Sequence, residues 1–169
     1  MTTIVENDLA VTFPNSVSAR RFDDGAIHGL THCMKAVDFI VEFPDRMVFV
    51  EFKDPQDSAA PEHQTRDYIA KFKSGVIDDQ LKTKFRDTFL YEWASGRVNK
   101  PIDYWVLIGA ETLSAADLLI RTEALKRKLP LTGPHGLPWK NQLLRQCAVM
   151  NLARWNHFLP KFPAKRRTT

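Results

Sequence analysis

Between Lys35 and Pro55 the chain reads KAVDFIVEFPDRMVFVEFKDP, apolar almost without interruption on either side of Pro44-Asp45. Runs this short and this rich in Val, Ile and Phe predict two strands, at about 35–43 and 47–53. Pro44-Asp45 suits the centre of a type I turn, because Pro fixes φ near the required value. It does not suit a two-residue I′ loop, which needs positive φ at both positions. A four-residue loop, Phe43 to Arg46, follows, closed by Glu42 opposite Met47. That register sets Val41 against Val48, Ile40 against Phe49, Phe39 against Val50 and Asp38 against Glu51. Alternation along each strand then gives one wholly apolar face: Val37, Phe39, Val41, Val48, Val50 and Phe52. The other face carries Asp38, Ile40, Phe49, Glu51 and Lys53. A slip of one residue would push all three charges into the apolar face, so the parity is well determined.

The rest of the chain alternates helical and breaker-rich patterns. DSAAPEHQTRDYIAKFKSG predicts a helix with Ser58 as its N-cap and Gly75 as its stop. Over about 76–95, Ile77, Leu81, Phe85 and Phe89 recur every four residues on one stripe, which Gly96 ends. IDYWVLIGA (Ile102–Ala110) has the character of a central strand. SAADLLIRTEALKRKL opens on a Ser114-x-x-Asp117 capping pattern and makes a further helix. Pro130–Trp139 is a loop dense in breakers. NQLLRQCAVMNLARWNHFL predicts a helix, a short strand around Cys147–Met150 and a last helix. LAVTF (Leu9–Phe13) reads as a strand, and ARRFDDG (Ala19–Gly25) as a strand or a short helix. The order β-β-α-α-β-α predicts an α/β mixed sheet flanked by helices. One domain is expected over residues 1–160, with a basic, frayed tail over 161–169.

Composition narrows the picture only a little. A chain of 169 residues, 44% hydrophobic and 26% charged, is an ordinary globular domain with room for a real core. Its net charge of +4 suits a polyanionic partner without demanding one. Two cysteines, Cys33 and Cys147, encode no disulfide framework. His28, His32 and Cys33 lie close together, but no fourth ligand stands at a zinc-site spacing. The opening MTTIVENDLAV lacks the basic and apolar regions of a signal peptide. No apolar run approaches the ~18–20 residues needed to span a bilayer. The expectation is a cytoplasmic protein with no membrane partner.

The charged face of the hairpin carries the candidate chemistry. Two carboxylates directly opposite one another repel, and partial burial raises that cost. A hard divalent cation reverses the sign of the interaction, and Mg²⁺ favours one or two carboxylates with water and phosphate oxygens. Lys53 on the same face would meet a phosphate oxygen or an attacking water. The alternative is a solvated face with cross-strand ion pairing. Ile40 and Phe49 share that face and argue against full solvation.

An Asp in one strand and Glu-x-Lys near the end of the next, thirteen residues on, resembles the PD-(D/E)xK nuclease superfamily, with its restriction-endonuclease-like fold. The matching residues are Asp38 and Glu51-Phe52-Lys53. In QTRDY, Gln64 and Tyr68 resemble the Q-x-x-x-Y element of RecB-type members, and their i,i+4 spacing puts both on one helical face. The resemblance covers about residues 34–74, and Ile102–Ala110 would be the next core strand. It implies that Asp38, Glu51 and the backbone carbonyl of Phe52 hold Mg²⁺ or Mn²⁺, which polarises the scissile phosphate and supplies hydroxide. Lys53, kept protonated by the carboxylates, would stabilise charge developing in the transition state, with Gln64 and Tyr68 in support. Val37 stands where the motif has Pro. Many members add an acidic residue from an N-terminal helix, for which Glu6, Asp23 and Asp24 are the candidates. The implied protein is a metal-dependent nuclease acting on DNA rather than RNA, alone, as a homodimer or within a larger defence or repair complex. A second reading is a catalytically inactive member that binds nucleic acid or protein. A third is a structural protein whose charges are a solvated face.

Overall fold

The computed structural model describes residues 1–167, which form two sheets and five α-helices. Strands β1 (Thr2–Glu6) and β2 (Leu9–Phe13) form an antiparallel hairpin. The larger sheet is built from β3 (Ser18–Arg21), β4 (Phe39–Glu42), β5 (Met47–Lys53), β6 (Ile102–Ile108) and β7 (Gln146–Met150), in that spatial order. The first three are antiparallel neighbours, whereas β5, β6 and β7 run parallel. Parallel neighbours need crossover connections. Helices α2 (Glu62–Ser74) and α3 (Asp78–Ala94) supply the first, and α4 (Ala115–Lys128) the second. A one-turn helix α1 (Gly25–His28) joins β3 to β4, and α5 (Leu152–Phe158) follows β7. No helix is long and apolar enough to cross a membrane among the described residues.

The central hairpin has the predicted register: Phe39 pairs with Val50, Ile40 with Phe49, Val41 with Val48 and Glu42 with Met47. Both of its faces are buried. Phe39, Val41, Val48, Val50 and Phe52 pack with Leu9, Val11 and Phe13 of the smaller sheet and with Trp105 and Trp155. Ile40 and Phe49 pack instead with Leu81, Phe85, Tyr104, Leu118 and Leu125, beneath α3 and α4. The face carrying the charges is therefore covered rather than solvated. Val37 departs from its expected side and joins this second cluster. Its N–H donates to Thr88 Oγ1 of α3 at 3.0 Å, whereas the Asp38 carbonyl still accepts the Phe22 N–H at 2.8 Å, so the backbone turns toward α3 at Val37.

The stripe expected over 76–95 is present, with Ile77, Leu81 and Phe85 buried, and the Ser114/Asp117 capping box closes both of its bonds. Other expectations fail for local reasons. Helix α2 starts four residues after Ser58, whose N–H is taken by the carboxylate of Asp8. The helix expected over the residues just before β7 does not form: Arg145 gives its N–H to Ile102 O and its guanidinium to Asp103. Within the expected frayed tail, Ala164–Arg166 forms strand β8, antiparallel to β2. Arg166 forks onto Asp54 at 2.8 and 2.9 Å and donates to the carbonyls of Gln56 and Gly109. Residues 168–169 of that tail lie outside the described residues.

Candidate active site

The hairpin places Glu51 on the face that α3 covers, fully excluded from solvent, and Asp38 beside it with 6% of its surface exposed. Asp38 sits one residue before β4, where the pairing with β5 has ended although its carbonyl still accepts the Phe22 N–H. Its carboxylate replaces the missing ladder contact: Oδ2 accepts the N–H of Phe52 at 2.6 Å. Because the N–H and C=O of one strand residue point to the same side, the Phe52 carbonyl also faces Asp38. Lys53 follows at the strand end, partly exposed, with Nζ 2.8 Å from Glu51 Oε1.

A second lysine enters from the helix above. Lys84 of α3 puts its ammonium 2.8 Å from Glu51 Oε1, 3.5 Å from Asp38 Oδ1 and 3.5 Å from Asp23 Oδ2. Two ammonium groups thus converge on one oxygen of Glu51 at ion-pair distance, without the angles of a hydrogen bond. The other oxygen, Oε2, is buried with no hydrogen-bond partner among the described residues. An unpartnered buried carboxylate oxygen is costly. It is the observation in this site that most needs an additional cation or donor.

Burial, then the nearby Glu51 carboxylate, raises the Asp38 carboxyl from 3.8 to about 7, outweighing Lys84, the Phe52 N–H and Lys53. Lys84 shows the complement. Desolvation works against its charge, but Glu51, Asp38 and Asp23 together hold its pKa above the ordinary lysine value. Tyr68 of α2 packs against the same cluster. Burial and then Glu51 raise its phenol, and its hydroxyl has no partner among the described residues. Tyr104 on β6 is wholly buried and donates to Leu81 O at 3.1 Å; burial, Glu51 and Asp38 raise it well above its usual value.

Compared with family models, curated proteins and solved structures, the chain shows no significant match.

Of the residues predicted from the sequence, Asp38, Glu51, Lys53 and Tyr68 converge, with the Phe52 backbone among them. Gln64 does not join them: it is exposed on α2 with no side-chain hydrogen bond among the described residues. The three acidic candidates separate cleanly. Glu6 pairs with Arg21 at 2.6 Å, and Asp24 caps α1 by accepting from Ala26 N. Only Asp23 reaches the site, through Lys84. His28 is enclosed by Phe22 and Tyr91, its Nδ1 accepting from Leu30 N, while His32 and Cys33 are exposed. No zinc-like group forms there among the described residues.

Lys84 is the residue that sequence reasoning missed. It falls beside the apolar stripe, three positions after Leu81 and one before Phe85, where a lysine ordinarily reads as a solvated flank. The only signal was its proximity to the i+3 row of that stripe.

The donor set suits a hard divalent cation: the Asp38 and Glu51 carboxylates and one carbonyl, with a free buried lone pair on Glu51. Asp38, Glu51 and Asp23 do not close into a tight trio; Lys84 lies within ion-pair distance of all three. Among the described residues the trio whose oxygens lie within 4.8 Å of one another is Asp8, Asp54 and Asp57. That group is already answered by Arg166, which forks Asp54 and approaches Asp8 at 3.8 Å, and by the N–H groups of Ser58 and Ala59.

Proposed function

We propose that this chain is a metal-dependent nuclease of the PD-(D/E)xK type, with a restriction-endonuclease-like arrangement of its larger sheet. The observation that carries the reading is the buried Asp38–Glu51 pair, with an unpartnered oxygen on Glu51 and a lysine two residues along the same strand. The two motif strands being an antiparallel hairpin, with β6 directly beside β5, also supports it. Asp38, Glu51 and the Phe52 carbonyl would hold Mg²⁺ or Mn²⁺, which when bound polarises a phosphodiester and lowers the pKa of water. Asp38 must give up its proton for that role. The Phe52 N–H holds one of its oxygens, while the other lies 3.5 Å from the Lys84 ammonium. Lys53 reaches the site mouth, where an ammonium stabilises charge gathering on phosphate oxygens. Tyr68 stands close enough for Glu51 to raise its phenol, and it would support the site from α2. DNA is proposed ahead of RNA as the substrate by analogy with the family.

One observation favours a second reading. Lys84 already supplies positive charge between Asp38 and Glu51, as it would in a catalytically inactive member that keeps the fold and binds nucleic acid or protein. A cleavage assay separates the two. Linear, circular and single-stranded DNA and RNA are incubated with Mg²⁺ or Mn²⁺, with EDTA and a Lys53→Ala protein as controls. The nuclease reading expects metal-dependent cutting that the variant loses by ~10²-fold or more, the scale of one lost charge-stabilising group. Cutting that survives EDTA or the Lys53→Ala change, or none by well-folded protein on any substrate, would overturn it.

A further inference from the structure

The described residues pose a charge problem that the nuclease reading leaves open. Glu51 has two ammonium neighbours on Oε1, and the two are not equivalent. Lys53 touches Glu51 alone. Lys84 touches Glu51, Asp38 and Asp23, so it neutralises every carboxylate of the site at once. Its position between Asp38 and Glu51 is where a cation shared by those carboxylates would stand. Lys53 and Lys84 already share Glu51 Oε1, and a divalent ion brought onto the Asp38 and Glu51 oxygens would add two further positive charges that repel both ammonium groups. A divalent ion and the Lys84 ammonium therefore compete for this place.

Lys84 has somewhere to go. Its side chain also borders an open groove with Lys35, Gln80, Thr83 and Asp79. Asp79 there is held by Lys82 at 2.8 Å and Lys128 at 3.0 Å. Lys35 forms no ion pair among the described residues. Its backbone N–H is anchored on Asp87, which fixes the groove wall while leaving its ammonium to solvent. A flexible four-carbon stem allows the Lys84 ammonium to turn from the carboxylates into this groove without moving α3. Beside Lys35 it would present two positive charges to one face.

We propose that Lys84 is an exchangeable counter-cation: it holds the Asp38–Glu51 site closed, a divalent ion displaces it, and the displaced ammonium binds a nucleic-acid phosphate in the Lys35–Gln80–Thr83 groove. This rests on the nuclease reading of the site. It makes metal and nucleic acid bind in concert, because each takes one partner of an ion pair that neither meets while the pair is closed. Lys53, tied to Glu51 alone, has no such exchange.

The test is a pair of titrations at pH 8 on wild type, Lys84→Met, Lys84→Arg and Glu51→Gln. Ca²⁺ is used in place of Mg²⁺ so that binding is read without cleavage. Removing the competing ammonium is expected to tighten Ca²⁺ binding by about tenfold or more in Lys84→Met, a modest share of a unit-charge interaction at this separation. Lys84→Arg, which keeps the competitor, should stay near wild type. Binding of a short DNA duplex should strengthen with Ca²⁺ in wild type and lose most of that gain in Lys84→Met. Equal or weaker Ca²⁺ binding by folded Lys84→Met overturns the exchange. If that variant is poorly folded, Lys84→Arg with a Ca²⁺ affinity far from wild type does the same. If Ca²⁺ binds neither wild type nor any Lys84 variant, or binds Glu51→Gln equally well, the metal reading of the site itself has failed.

Discussion

Replacing Asp38 by Asn isolates a proton that the folded protein retains and the unfolded chain releases. In the fold, burial and Glu51 raise this carboxyl from 3.8 to about 7. Between those values the native state binds the proton while the unfolded state does not, so stability falls as pH rises from about 4 to about 7 and levels off above. The displacement corresponds to about 4 kcal/mol at most, at about 1.4 kcal/mol for each tenfold. Relaxation around an ionised Asp38 would reduce the measured figure to about 2–4 kcal/mol. The Asp38→Asn side chain carries no proton to lose and its amide oxygen can still accept the Phe52 N–H, so the variant's stability should lack this slope. The assay is urea denaturation of both proteins in EDTA at half-unit steps from pH 4.5 to 8. The variant should gain on wild type steadily up to about pH 7, and Ca²⁺ at pH 8 should restore wild type alone. A wild-type-minus-variant difference that is flat with pH would refute the reasoning. Asp38 would then ionise as an ordinary carboxyl despite its burial beside Glu51.

Other consequences are sharper in place than in size. Thr88→Val removes the acceptor of the buried Val37 N–H and should cost about 1–3 kcal/mol by urea denaturation, loosening Asp38 as well. Tyr68→Phe deletes a buried hydroxyl with no partner among the described residues, so stability should hold or rise by up to about 1 kcal/mol by urea denaturation. Gly109→Ala would set a Cβ 2.5 Å from Asp54 Oδ1 and 2.8 Å from Arg166 Nη2. It should break the Arg166 fork and lower stability by about 1–3 kcal/mol, and a thermally unshifted variant would show the lock to be slack. Apparent divalent affinity should rise close to tenfold per pH unit from 5 to 7 and then flatten, because Asp38 must ionise before it can act as a ligand.

The central hairpin was legible because three independent constraints agree there: the Pro44 turn, the two-residue alternation and the cost of burying charge on the wrong face. Helices α3 and α4 were legible from an unbroken apolar stripe and a complete capping box. What escaped was set by contacts distant in the chain. Asp8 takes the Ser58 N–H and shortens α2, Ile102 and Asp103 take Arg145 and remove a helix, and β2 recruits a three-residue basic strand too short to show a pattern. In the site, Asp38, Glu51 and Lys53 announce themselves because charge in a greasy strand is anomalous. Lys84 does not, since a lysine beside a helical stripe is ordinary, and only the length of its side chain brings it to the carboxylates. Choosing Asp23 over Glu6 and Asp24 likewise required knowing that Arg21 and the first turn of α1 engage the other two.

The central claim is that Asp38 and Glu51 form a divalent-cation site, and Mn²⁺ titration followed by electron paramagnetic resonance tests it most directly. At pH 8 one ion should bind per chain in wild type, be lost in Glu51→Gln and be unaffected by Asp57→Asn in the other acidic cluster. Mn²⁺ that binds Glu51→Gln as it binds wild type, or that is lost with Asp57→Asn instead, would contradict it.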